Sequence, residues 1–127
     1  MVRECKAPSN NYWRPDDRSG EYVVIYPSGT KIWYKDGKLH REDGPAIEHA
    51  DGYKVWYLNG KRHREDGPAF DGVDGTKQWF KNDKLHRIDG PAIERDGHKE
   101  YWYENIKFEE IKSDEEWTEF LKLRFLW

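Results

Sequence analysis

The chain repeats itself at a fixed step, and this constrains it more than any other feature. Trp33-Tyr34-Lys35-Asp36-Gly37-Lys38-Leu39-His40-Arg41-Glu42-Asp43-Gly44-Pro45-Ala46 recurs as Trp56 to Ala69 and again as Trp79 to Ala92. The step is 23 residues from Trp33 to Trp56 and 23 again from Trp56 to Trp79. Self-similarity of this length marks an array of small units that bury apolar surface only by stacking on one another. A fourth, partial copy is expected from Asp96-Gly97, with Trp102 keeping the 23-residue step from Trp79. Gly97 comes 22 residues after Gly75. That implies a turn one residue shorter and a following strand one longer, with a bulge taking up the difference. Glu21 to Gly29 reads as an upstream half-copy in the place of Pro45 to Gly52.

Each unit reads as two short strands. Asp36-Gly37, Asn59-Gly60 and the weaker Asn82-Asp83 suit tight turns with positive φ. Asp51-Gly52, Asp74-Gly75 and Asp96-Gly97 close the second strand of each unit. Strand-length segments at regular spacing predict an antiparallel β-meander of about 23-residue hairpin units from Tyr22 to Lys107. Alternation puts Trp56 with Lys54 on one face and Val55 with Tyr57 on the other, while Ala69 and Asp71 oppose Phe70. A sheet that wraps over itself, a solenoid, and an open aromatic face all remain compatible with this pattern. Ser113-Asp114-Glu115-Glu116 is a capping box. It predicts a helix over about Asp114 to Phe125 whose Trp117, Phe120, Leu121 and Arg124 share a face. The expected fold is therefore an all-β repeat with a short C-terminal capping helix. Residues 1–21 form an irregular lead-in or cap, 22–108 the repeat array and 109–127 the helical cap. Tyr12 and Trp13 are the aromatics expected to pack the lead-in.

Composition narrows the function classes. The 16% aromatic content, with seven Trp and eight Tyr, argues against a disordered tail despite 37% charged residues. The formal net charge of -3 disfavours nucleic acid as a partner. The single cysteine, Cys5, supports neither a disulfide framework nor a cysteine-based metal site, and a cytoplasmic location is expected. No stretch has the length and apolarity of a membrane span. No phosphate loop, nucleophile elbow or metalloprotease signature occurs.

His40, His63 and His86, each followed by Arg and three residues later by Asp, invite a metal or acid–base interpretation. A constellation that recurs at every step is better explained as a structural ladder. Its His side chains would bond loop backbone, and Arg41, Arg64 and Arg87 would pair with Asp43, Asp66 and Asp89. No metal, no cofactor and no catalytic residue is expected. Trp33, Trp56, Trp79 and Trp102 form a row that suits cross-strand packing or, alternatively, a stacking platform. Binding is expected where copies differ. Arg62 replaces Leu39 and Leu85, and Glu65 aligns with Ile88. Phe70 is the largest side chain at its position, and Asp71 adds charge beside it. These four are the candidate binding residues. The acidic run from Glu109 to Glu116 is the next candidate surface.

Trp56-Tyr57-Leu58-Asn59-Gly60-Lys61-Arg62-His63 resembles MORN repeats, which are also about 23 residues long and form successive β-hairpins. Arg64, Asp66 and then Gly67-Pro68-Ala69 depart from the usual MORN glycines. The chain is similar to a MORN-like variant class with NGKxHRxDGPA units, common among uncharacterised bacteriophage proteins. The resemblance covers about Tyr22 to Lys107. The function expected from the residues is a non-catalytic protein–protein interaction module, and what the resemblance adds is a phage protein in the host cytoplasm that binds and inhibits a host defence or regulatory protein. A structural or self-assembling scaffold, homo-oligomeric in form, and a small-ligand or carbohydrate binder using the aromatic row are the competing expectations.

Overall fold

The computed structural model describes residues 2–8 and 19–125. In chain order the strands are β1 (Arg3–Lys6), β2 (Glu21–Ile25), β3 (Lys31–Lys35), β4 (Lys38–Leu39), β5 (Ile47–Glu48), β6 (Lys54–Val55), β7 (Tyr57–Leu58) and β8 (Lys61–Arg62). They continue as β9 (Phe70–Asp71), β10 (Lys77–Gln78), β11 (Phe80–Lys81), β12 (Lys84–Leu85), β13 (Ile93–Arg95), β14 (His98–Glu100), β15 (Trp102–Tyr103) and β16 (Ile106–Lys107), and helix α1 spans Asp114–Phe125. No helix lies between Trp33 and Trp102.

The repeat builds two parallel rows of structure. The first is a 10-stranded sheet in the order β1-β2-β3-β5-β6-β9-β10-β13-β14, with β4 hairpinned onto β3. The second is the set of hairpins β7-β8, β11-β12 and β15-β16. The chain passes from one row to the other at Trp56, Trp79 and Tyr101. The Trp N–H of each unit donates to the Ala carbonyl across the sheet, in Trp33 to Ala46, Trp56 to Ala69 and Trp79 to Ala92, at 2.7–2.8 Å. The same Trp carbonyls accept from His40, His63 and His86 N–H, at 3.1 Å in each unit. The expected continuous meander is thus divided at Trp56, Trp79 and Tyr101 into a sheet part and a hairpin part, whereas β3 runs unbroken through Trp33.

The hairpins follow from their turns. Asp36-Gly37, Asn59-Gly60, Asn82-Asp83 and Glu104-Asn105 all have positive φ at both central residues. This is the primed geometry that matches strand twist. Successive hairpins join through Gly60 N–H to Leu39 O, Asp83 N–H to Arg62 O and Asn105 N–H to Leu85 O, at 2.8–2.9 Å.

Three features differ from expectation. Arg3–Lys6 is a strand, and it pairs parallel to β2, so the sheet is mixed. The sequence RECK has no alternation and no turn to announce a strand. Tyr12 and Trp13 lie outside the described residues. The fourth copy contains no bulge. Its turn is the two-residue Asp96-Gly97 between paired Arg95 and His98. The earlier units instead use three-residue loops, such as Ala50-Asp51-Gly52 closed by His49 N–H to Tyr53 O at 3.0 Å. The shorter turn absorbs the missing residue. Tyr101, not Trp102, therefore takes the place of Trp79, and its carbonyl accepts from Phe108 as Trp79 accepts from His86. Trp102 takes the place of Phe80: its carbonyl accepts from Arg87 N–H as Phe80 accepts from Arg64 N–H.

Helix α1 closes the C-terminal end. Ser113 Oγ accepts the Glu116 N–H at 3.1 Å, as the capping box requires. Trp117 and Leu121 are fully buried against Tyr101 and Ile111, with Phe108, Tyr103 and Phe120 around them. Trp117 Nε1–H donates to Arg87 O at 3.0 Å. Tyr101 O–H donates to Asp114 at 2.7 Å, and burial with this carboxylate beside it raises the phenol well above its ordinary value. A second cluster of Ala7, Tyr22 and Val24 lies at the N-terminal end, where β1 is the edge strand. No helix among the described residues is long and apolar enough to cross a membrane.

Candidate functional site: the loop row

The HRxDGPA segment is explained residue by residue at the junction between units. His Nδ1 accepts a backbone N–H from the turn of the next hairpin: Asn59 for His40, Asn82 for His63 and Glu104 for His86, at 3.0–3.1 Å. The Arg guanidinium lies 3.8 Å over the Trp ring of its own unit, in Arg41–Trp33, Arg64–Trp56 and Arg87–Trp79. Its Nε donates to Asp43, Asp66 or Asp89 at 2.9–3.2 Å. Its Nη1 donates to the carbonyl of Pro45, Pro68 or Pro91 at 3.0–3.1 Å. The glycine before each proline leaves room for that guanidinium: a Cβ on Gly67 would stand 2.8 Å from Arg64 Cζ. Ala46, Ala69 and Ala92 are fully buried. One face of each Trp is therefore occupied by an Arg.

The cations of the loops turn inward and the anions turn outward. The side chains of Glu42, Asp43, Glu65, Asp66 and Asp89 are 74–88% exposed, whereas those of Arg41, Arg64 and Arg87 are 21–24% exposed. Clefts open between successive loops. One of about 640 Å³ lies between Arg41–Gly44 and His63–Asp66, with Trp56 and Leu58 in its wall. The next, of about 560 Å³, lies between Arg64–Pro68 and His86–Asp89, walled by Trp79 and Phe80. Ile88 brings an exposed apolar side chain to the latter, where the other units carry Glu42 and Glu65. At the N-terminal end a smaller cleft of about 240 Å³ is lined by Glu21, Trp33, Tyr34, His40, Glu42 and Asp43, among others. There Glu21, His40 and Glu42 bring one polar atom each within 4.8 Å of one another.

The four candidate binding residues do not form one patch. Arg62 is half-buried, 4.1 Å over the Phe80 ring, and its Nε donates to Asp83 at 2.9 Å. Its N–H donates to the same carboxylate, which these bonds hold below the usual Asp value. Arg62 thus joins two units. Glu65 is on the loop row, with Oε1 2.7 Å from His63 Nε2. Phe70 and Asp71 are consecutive in β9 and face opposite sides of the sheet. Phe70 stacks on Tyr53 at 5.8 Å. Asp71 stands between Lys54 and Lys77 in register. It belongs to an alternating cross-strand row, Lys31-Glu48-Lys54-Asp71-Lys77-Glu94-Lys99, of the kind that stabilises a sheet face. The exposed Asp side chains pair with Arg as the ladder predicts, and they also form a surface that the sequence pattern alone does not mark. Their inward Arg partners, one Asp per loop, are the signal that finds them.

No protein-family model, curated protein or solved structure matches the chain.

Proposed function

We propose that this chain is a non-catalytic protein-binding module and that its docking surface is the loop row. One observation carries this reading: each loop buries its guanidinium against Trp and leaves its carboxylates outside, so a periodic acidic edge with clefts faces solvent. Such an edge complements a basic partner. Ile88 and the walls of Trp56 and Trp79 add apolar area between the charges. The MORN-like character of the units is what points to a phage protein that blocks a host protein. Helix α1 packs on the C-terminal end of the array, which favours binding along the side over end-to-end scaffolding.

The test is a triple substitution, Asp43→Asn, Asp66→Asn and Asp89→Asn. Asn keeps an oxygen for each Arg Nε and removes three charges. A partner captured by the wild type should bind the variant at least tenfold more weakly, and raised salt should weaken the wild-type complex. A variant that melts and binds like the wild type excludes the loop row.

A further inference from the structure

We propose that the cleft at the N-terminal end of the loop row is a binding subsite for a neutral polyhydroxylated ligand, one pyranose ring in size. His40 differs from His63 in a specific way. In all three units the Nδ1 lone pair is engaged by a backbone N–H of the following hairpin. The neutral imidazole therefore carries its proton on Nε2, and Nε2–H is a donor. In the second unit that donor is satisfied by Glu65 at 2.7 Å. In the first, Glu42 Oε1 stands 3.8 Å away, outside hydrogen-bond range, while the His40 side chain is only 5% exposed. His40 Nε2 is a buried polar atom without a hydrogen-bond partner. A buried donor in that condition carries a free-energy cost that a matching acceptor removes.

The surroundings define the acceptor. Glu42 Oε1 stands 3.8 Å from Nε2, and Glu21 and Glu42 each hold a carboxylate oxygen within 4.8 Å of a His40 ring nitrogen and of each other. A divalent cation would suit the carboxylates but would need a lone pair on Nε2. Metal-bound histidines donate a proton from the other ring nitrogen, and here that nitrogen accepts one. An ammonium group meets the same Nε2–H with no acceptor to offer. A hydroxyl resolves both demands: its oxygen accepts from Nε2–H and its proton goes to a carboxylate. Two adjacent hydroxyls on a ring serve both Glu21 and Glu42. Tyr34 and the part of Trp33 that Arg41 leaves uncovered supply walls for ring carbons, with Arg41 itself in the lining, and the volume of about 240 Å³ lies just below the range of about 300–1,000 Å³ usual for small-molecule pockets.

The experiment uses the full chain and follows the His ring nitrogens and Trp indole N–H signals by NMR. The probes are D-glucose, D-galactose, D-mannose, N-acetyl-D-glucosamine and myo-inositol, each titrated into the millimolar range. A saturable shift of His40 and Trp33 with at least one probe, with His63 unmoved, is the expected result. Glu21→Gln with Glu42→Gln should then weaken that probe at least tenfold without lowering the melting temperature. No saturable shift with any probe overturns the proposal, as does a shift shared equally by His40 and His63. Zinc chloride is titrated separately. Saturable zinc binding at His40 with loss of the Asn59 amide signal would overturn the tautomer assignment, and the proposal with it.

Discussion

The Nδ1 atom of His40 accepts the amide N–H of Asn59 at 3.0 Å, across 19 residues of sequence and from one hairpin to the next. The same stitch joins His63 to Asn82 and His86 to Glu104. It fixes the turn of each hairpin to the loop of the unit before it, and it requires an unprotonated Nδ1.

At His86 this makes stability sensitive to acid. Burial lowers the His86 value from the ordinary 6.5. As pH falls through 6.5 the unfolded chain takes up a proton that folded His86 still refuses, so stability drops until pH passes the folded value. Asp83, held low by Arg62, adds a second loss as pH falls through and below the ordinary Asp value of 3.8. His86→Asn keeps an acceptor near Nδ1 and removes the titration. Denaturant midpoints measured from pH 8 to pH 4 should slope less steeply in this variant, and an unchanged slope would assign the acid sensitivity elsewhere.

Arg64→Ala removes a cation–π contact, an ion pair and a bond to Pro68 O from a side chain 24% exposed. A loss of about 1–3 kcal/mol is expected from urea unfolding. Glu65 is exposed yet holds the Nε2 proton of His63, so Glu65→Ala should cost something too, but less than Arg64→Ala. The opposite order would contradict the assignment of roles.

Gly60 marks a place where the array can be improved. Asp83 and Asn105 occupy its position in later hairpins, at φ 67 and 69, and each side chain accepts an N–H from the previous hairpin, Arg62 or Leu85. Gly60 has φ 82 and no side chain to offer Leu39, the equivalent donor. Its Cβ would meet only Lys38 carbons at 3.8–3.9 Å. Gly60→Asn should stabilise by at most about 0.5–1 kcal/mol through that bond, less the strain of an L residue at positive φ. A lowered melting temperature would refute this.

Ala69 is fully buried where Trp56 N–H meets its carbonyl and its own N–H meets Gln78. Ala69→Val adds two methyl groups to a filled space, for a loss of about 1–3 kcal/mol. Calorimetry showing equal stability would mean that the alanine is not set by packing.

Much of this fold was legible because repetition exposes what every unit needs. The turns, the capping box over Ser113 to Glu116 and the His–Arg–Asp ladder were all visible as local patterns. Contacts that join one unit to the next through a residue unique to it were not. Arg62 looked like a surface charge because its partner, Asp83, is 21 residues away in a turn that reads as a weaker form of Asn-Gly. The register of the last copy was misread at Trp102 because two aromatics adjoin there and only hydrogen bonding distinguishes them. The His40 cleft has no sequence signal at all: Glu42 and Glu65 are the same residue type at equivalent positions and differ only in side-chain placement.

The two-row construction also sets a length scale. Each middle unit adds two strands to the large sheet, and neighbouring strands lie about 4.8 Å apart, so successive loops advance by roughly 10 Å. A peptide in the polyproline II conformation covers about that distance in one turn of three residues, which returns every third side chain to the same face. A chain lying along the loops would therefore meet the outward carboxylates in step if it carried a lysine or arginine at every third position. The array would then act as a ruler that reads the spacing of charge, a property that no single unit possesses.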